Sequence, residues 1–226
     1  AGGALVSGIG NTAIGRFALD AEDDGDRNTA IGYQALTTQT GTSGDVANTA
    51  VGYKVGYSMT KGRYNTIMGE QALYTEDVGD YSTAIGYQTM YSQNSDSDNE
   101  TTGNSGLGIQ AGYYNVTGQS NTYLGYKAGF GVSGKSHGGC VFIGTNAGLT
   151  AYTGDDNIAI GHNAMKDVDA GTTVGASYSN IFMGSSAGGG AWSNSASSNH
   201  NTAIGKDSMD SVLNGASYNV TLGNTT

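Results

Sequence analysis

The chain reads Asn28-Thr29-Ala30-Ile31-Gly32-Tyr33-Gln34-Ala35-Leu36, and close variants of these nine residues return along its length. NTAIGRFAL begins at Asn11, NTAVGYKVG at Asn48, NTIMGEQAL at Asn65, STAIGYQTM at Ser82, NTYLGYKAG at Asn121 and NTAIGKDSM at Asn201. Aligned on the glycine, the anchors are Gly15, Gly32, Gly52, Gly69, Gly86, Gly108, Gly125, Gly144, Gly161, Gly184, Gly205 and Gly223. Their spacings are 17, 20, 17, 17, 22, 17, 19, 17, 23, 21 and 18 residues. The minimum of 17 recurs five times, so each longer spacing reads as a 17-residue turn carrying an insertion. A period of this size with variable insertions marks a solenoid.

Positions are counted from the anchor glycine. Position −1 is always aliphatic or Met, from Ile14 and Ile31 to Leu222. Position −3 is mostly Thr, with Ser105, Val141, Ile158, Ile181 and Val220 as variants. The two share parity and so face one side of an extended strand. Position −2, usually Ala, faces the other. The larger aliphatic column is expected to line the interior, with Ala and its small flat surface outside. Past the glycine come two mostly polar positions, then Ala, then Leu, Met or Gly, which reads as a second short strand. The glycine stands at the corner between them, where positive φ and close backbone approach are needed. Asn holds ten of the twelve −4 positions, with Ser82 and Cys140 as exceptions. Asn suits a bend, and stacked turn on turn it can form an amide ladder. A helical reading fails, because Gly interrupts every block and Thr, Asn and Gly are poor helix formers.

The expectation is therefore an all-β chain: one parallel β-solenoid domain, or β-roll, over residues 1–226, of about twelve turns and roughly 55 Å of rod at about 4.8 Å per rung. Burying two aliphatic side chains per turn barely offsets the ordering of its backbone. Side-by-side association of chains is expected in consequence. The chain opens AGGALVSG without an initiator Met and closes NVTLGNTT inside a repeat, so it is read as a fragment of a longer fibre protein.

Composition narrows function. Gly is 39 of 226 residues, Pro is absent and charged residues are only 12%. That composition, without a three-residue period, excludes collagen. The net charge of −10 disfavours nucleic acid and anionic lipid as partners. No apolar run approaches a membrane span. Of 19 acidic residues, only Glu70 and Asp207 fall inside a nine-residue block. Charge is thus kept off the stacked columns, where like charges would repel. The cluster Asp96-Ser97-Asp98-Asn99-Glu100 makes Asp96, Asp98 and Glu100 weak candidates for calcium, since the EF-hand glycine is missing. No cofactor is expected. His137, His162 and His200 match no metal-ligand spacing. Cys140 stands in an Asn column and reads as a small buried substitute. No nucleophile elbow or phosphate-binding loop appears, so no catalytic residue is assigned and the chain is not read as an enzyme.

The blocks NTAIG, NTAVG and STAIG resemble the head repeats of YadA-like trimeric adhesins. NTAIGYQAL is similar to repeats in bacteriophage tail-fibre proteins. The resemblance implies a left-handed β-roll in each chain, three chains packed as a homotrimer, and a stalk or head that presents binding surfaces. It implies a virion tail fibre or an extracellular, cell-surface location, and a host glycan or protein as partner. Within that picture the aromatic connectors are the receptor candidates: Tyr178 and Trp192 in the long insertions, with Tyr113 and Tyr114. Tyr rings stack on sugars, but they also fill grooves between chains. The alternatives are a self-assembling extracellular filament, a depolymerising tailspike and an ice-binding protein. Ice binding calls for outward Thr, whereas here Thr shares a face with the column expected inside.

Overall fold

In the computed structural model the described residues are 1–226 without 42–43, 99, 152, 168–176, 191–196, 212–214 and 226. The chain divides into two compact units, Ala1–Gln110 and Ala111–Thr226. The first holds β1 (Thr12–Ile14), β2 (Gly25–Asp26), β3 (Thr29–Ile31), β4 (Gly44–Asp45), β5 (Thr49–Val51), β6 (Thr66–Met68), β7 (Thr83–Ile85) and β8 (Ser105–Leu107). The second holds β9 (Thr122–Leu124), β10 (Val141–Ile143), β11 (Ile158–Ile160), β12 (Ile181–Met183), β13 (Thr202–Ile204) and β14 (Val220–Leu222). Every block thus supplies one strand over positions −3 to −1. In the first unit the order is β1-β3-β5-β6-β7-β8, with β2 paired to β4 beside it; in the second it is β9 to β14 in sequence. All pairs are parallel and in register, so Thr49 faces Thr66 and Val51 faces Met68. Six rungs per unit enclose five circuits each. The protein is a parallel β-solenoid of about ten turns.

The corners are set by residues in the left-handed region. The anchor glycines have φ between 124° and 148°. A Cβ at Gly52 would stand 2.6 Å from the Gly69 carbonyl oxygen, so no other residue fits the stack there. Position +2 is left-handed in most circuits without being glycine, as at Gln34, Lys54, Gln71 and Gln88. It is the third residue of a four-residue turn closed by Ala35 N–H to Gly32 O at 3.5 Å, where a type II turn requires positive φ. In the first unit this column is braced by an amide ladder, with Gln110 Nε2 donating to Gln88 Oε1 and Gln88 Nε2 to Gln71 Oε1, each at 3.0 Å.

The Asn column forms a ladder of its own. Each Oδ1 accepts the backbone N–H of its counterpart one turn on: Asn48 from Asn65 at 2.9 Å, Asn180 from Asn201 at 3.0 Å. At Asn48, Asn65, Asn121, Asn157, Asn180 and Asn201 the Nδ2 donates to a carbonyl in the next connector, as Asn48 to Gly62 at 2.6 Å. The expected left-handed bend belongs to the residue before it: Arg27, Ala47, Tyr64 and Tyr81 have φ from 51° to 63°.

The parity of the strand is the reverse of the expectation. Ala30, Ala50, Ile67, Ala84, Phe142, Ala159, Phe182 and Ala203, all at −2, are wholly buried. The aliphatic column at −1 faces out, with Ile14 59%, Met68 46% and Leu107 50% exposed. The Thr column faces out with it, exposed or half-buried throughout. The small Ala is therefore core and not outer surface. The argument that set ice binding aside, that Thr points inward, loses its basis. The solenoid stands because other side chains fill it. Position −2 shares parity with the Asn ladder, and positions +3 and +4 are both turned inward by the left-handed residues around them.

In most circuits −2 and +4 trade one large side chain between them; the circuit of Gly69 departs from this, with Ile67 and Leu73 both large and both buried. Ala30 goes with Leu36, Ala84 with Met90, Ala159 with Met165 and Ala203 with Met209; Tyr123 goes with Gly129, Phe142 with Gly148 and Phe182 with Gly188. The glycines are needed in the latter set: a Cβ at Gly148 would lie 2.8 Å from the Phe142 ring. Ala50 with Gly56 leaves space that Leu36 and Ile67 of the adjacent turns enter.

Candidate functional site

The outward face of each unit carries two parallel columns without a charged residue. In the first unit they are Thr12, Thr29, Thr49, Thr66, Thr83 and Ser105 beside Ile14, Ile31, Val51, Met68, Ile85 and Leu107. In the second the −3 column turns apolar at Val141, Ile158 and Ile181, beside Ile143, Ile160 and Met183. Successive rungs lie about 4.8 Å apart, so each face is a continuous apolar strip. Strips of this kind mark interaction sites, because solvent-exposed apolar area is otherwise scattered.

Aromatic rings border and extend this face in ladders. Tyr33 stacks on Tyr53 at 5.5 Å between centroids and Tyr64 on Tyr81 at 5.1 Å. Tyr57, Tyr74 and Tyr91 form a three-ring stack at 5.1 and 5.0 Å. The in-register circuits force this spacing. Rings stacked face to face spend their faces on each other and offer edges and hydroxyls to solvent. Sugar stacking is therefore confined to the ends of a ladder. Lys54 lies over Tyr53 and Tyr57, and Lys127 repeats the arrangement over Tyr126 and Phe130, 4.9 Å from the latter. Such placements are cation–π contacts.

The structure brings Tyr113 and Tyr114 together edge to face at 4.6 Å, with Phe130 stacked on Tyr113 at 5.3 Å. All three are half-buried. Tyr178 stands exposed, its N–H donating to Asn199 Oδ1 at 2.8 Å. Trp192 lies outside the described residues. Of the calcium candidates, Glu100 Oε2 accepts the Asp96 N–H at 2.9 Å, while Asp98 pairs with Lys61 at 2.5 Å. Among the described residues no group of three or more His, Cys, Asp or Glu is placed to hold a metal ion, and no helix is long and apolar enough to cross a membrane.

The second unit's interior holds a polar cluster that the sequence did not single out. His137 is buried, and its Nε2 lies 2.9 Å from the Tyr123 hydroxyl; its Nδ1 has no partner. Burial pulls the imidazole down to about 4 and pushes the Tyr123 phenol well up. Cys140 takes over the Asn role: its Sγ accepts the Asn157 N–H and donates to Gly154 O at 3.4 Å. Burial pushes this thiol up to about 12. In the first unit Glu76 is buried and accepts from Gly79 N–H at 2.8 Å and from Ser95 Oγ at 3.0 Å. Burial outweighs these bonds and raises its carboxyl.

One hollow opens on the second unit, of about 280 Å3, lined by Thr117, Gly118, Gln119, Ser136, His137, Gly138 and Asp155. These residues come from three successive connectors. Their legible signal was Gly138, which breaks a run of longer side chains at −6.

No protein-family model, curated protein or solved structure matches the chain.

Proposed function

We propose that this chain is a structural and adhesive fibre segment, a tail-fibre or surface-adhesin β-roll. Three copies pack through their outward faces, and the connectors meet a glycan or protein on the host surface. Neither catalysis nor a cofactor is part of this reading. The observation that carries it is the uncharged aliphatic column at −1, in register and open to solvent on a single chain. Covering a half-exposed aliphatic side chain is worth about 1 kcal/mol, given about 1.5–3 kcal/mol for full burial. Summed over the rungs of both units this matches the roughly 4–15 kcal/mol cost of association. The NTAIG resemblance supplies the number of copies, the left-handed winding and the extracellular or virion setting. The test is light-scattering mass on a sizing column, followed by adhesion of the purified protein to candidate host cells. A mass of three chains with saturable adhesion supports the reading. A single-chain mass at micromolar concentration overturns it.

One observation favours a second reading. Thr29, Thr49, Thr66 and Thr83 form a flat, outward row of χ1-restricted hydroxyls, in register along the first unit. Such a row can order water as an ice surface does. Thermal hysteresis in dilute solution would support it, and its absence removes it.

A further inference from the structure

The hollow in the second unit follows from one missing side chain. At position −6 the circuits on either side carry Gln119 and Asp155, and the circuit between them carries Gly138. A Cβ at Gly138 would meet Gln119 O at 3.4 Å and Asp155 Oδ1 at 3.7 Å, which are ordinary contacts. Room is therefore left where a longer side chain would lie.

Polar groups from three circuits border that room. Ser136 Oγ accepts from Thr117 N–H at 2.9 Å and from the Thr117 hydroxyl at 3.2 Å, so its own O–H is left to donate elsewhere. The Thr117 hydroxyl, having donated, keeps its lone pairs. Asp155 Oδ1 accepts the Gly138 N–H at 2.8 Å, and its second oxygen is left to accept from a ligand. His137 is buried at the same place, with an unpartnered Nδ1.

We propose that this hollow is a subsite for one neutral sugar ring, held through two adjacent hydroxyls. One hydroxyl donates to the Asp155 carboxylate; its neighbour accepts from the Ser136 O–H. Hydroxyls both donate and accept, which suits a rim of one free donor and several acceptors. The volume lies at the lower limit of ligand cavities, about 300–1,000 Å3, and so fits a single ring. Asp155 is the one charged side chain among the lining residues, which selects against anionic sugars. The inference rests on the adhesive reading above and gives it a ligand class and a place.

The test titrates the full chain with methyl glycosides of glucose, galactose, mannose and N-acetylglucosamine, and with sialic acid, by calorimetry and by NMR of the His137 ring. At least one neutral glycoside is expected to saturate at millimolar concentration and to shift the His137 signals, and sialic acid is not. Gly138→Gln fills the room with the side chain its neighbouring circuit already carries there. Asp155→Asn keeps an acceptor for the Gly138 N–H and removes the charge. Each is expected to weaken binding about tenfold or more, as loss of a hydrogen bond to a charged group does, with an unchanged unfolding midpoint. The proposal is overturned if no neutral glycoside saturates the unaltered chain, or if both variants bind as it does. Equal adhesion of Gly138→Gln and the unaltered chain to host cells sinks the subsite and leaves the adhesive reading standing. Glycoside binding at the hollow by a chain that neither associates nor adheres does the reverse.

Discussion

Exchanging Phe142 and Gly148 for the pair used elsewhere in the solenoid tests the rule that positions −2 and +4 of this circuit share one space. Phe142→Ala alone empties a buried aromatic site and should cost about 3–5 kcal/mol. Gly148→Leu alone drives a side chain into the Phe142 ring, since even its Cβ would lie 2.8 Å away. Overpacking costs about 1–3 kcal/mol, and holding Leu at a φ of 60° adds about 1–2 kcal/mol. The double variant rebuilds the Ala30–Leu36 arrangement, in which Leu36 already tolerates a φ of 47°. Only the backbone cost and imperfect repacking should remain. The two substitutions should therefore couple favourably by about 3 kcal/mol or more in a double-mutant cycle. The assay is guanidinium unfolding followed by circular dichroism, restricted to variants of equal denaturant slope. Additivity within about 0.5 kcal/mol would refute the rule, because the two side chains would then not share space.

Cys140 is expected to resist thiol reagents at pH 8 in the folded chain, since its thiol is buried and pushed up to about 12. Cys140→Asn should preserve stability by restoring the amide ladder, whereas Cys140→Ala should cost about 1–3 kcal/mol by leaving the Asn157 N–H without an acceptor. Acid should act on the two units in opposite senses. The His137 imidazole is pulled from 6.5 to about 4, so the unfolded chain binds the proton more tightly. Its share of stability is complete above pH 6.5 and is lost between 6.5 and 4, up to about 3 kcal/mol. The Glu76 carboxyl is raised above 4.5, so the first unit gains stability as pH falls through that raised value. Urea midpoints at pH 7 and pH 5 measure both: His137→Phe should flatten the acid loss, and Glu76→Gln should deepen it. An unaltered pH dependence in both variants would contradict the assignment.

The repeat was legible because its physics is local. A strand over −3 to −1, a glycine corner and an Asn ladder each need one residue type at one spacing, and a parallel stack writes it once per turn. The inward face was not legible from alternation alone. A period of 2 names two faces without saying which is buried, and here both are apolar. The bulk of Ile14 or Met68 pointed to the wrong one, because a narrow roll takes Ala, or one aromatic opposite Gly, more readily than a column of branched side chains. Two signals did point inward. The −4 Asn ladder has the parity of −2, and −2 changes size in step with +4, as Phe182 does with Gly188. The hollow beside Gly138 was legible only as a gap in a column. The pairing of His137 with Tyr123 was not legible at all, because it joins −7 of one circuit to −2 of the circuit before it.

The outward column is tested most directly by sedimentation velocity of a chain carrying Ile143→Asp and Ile160→Asp, beside the unaltered protein. Two charges on an outer face should leave a compact, folded particle of one-chain mass, where the unaltered protein sediments as an assembly. An expanded, unfolded chain would mean these side chains belong to the interior, and an unaltered protein that already sediments as a single chain would mean the exposed column meets no second copy.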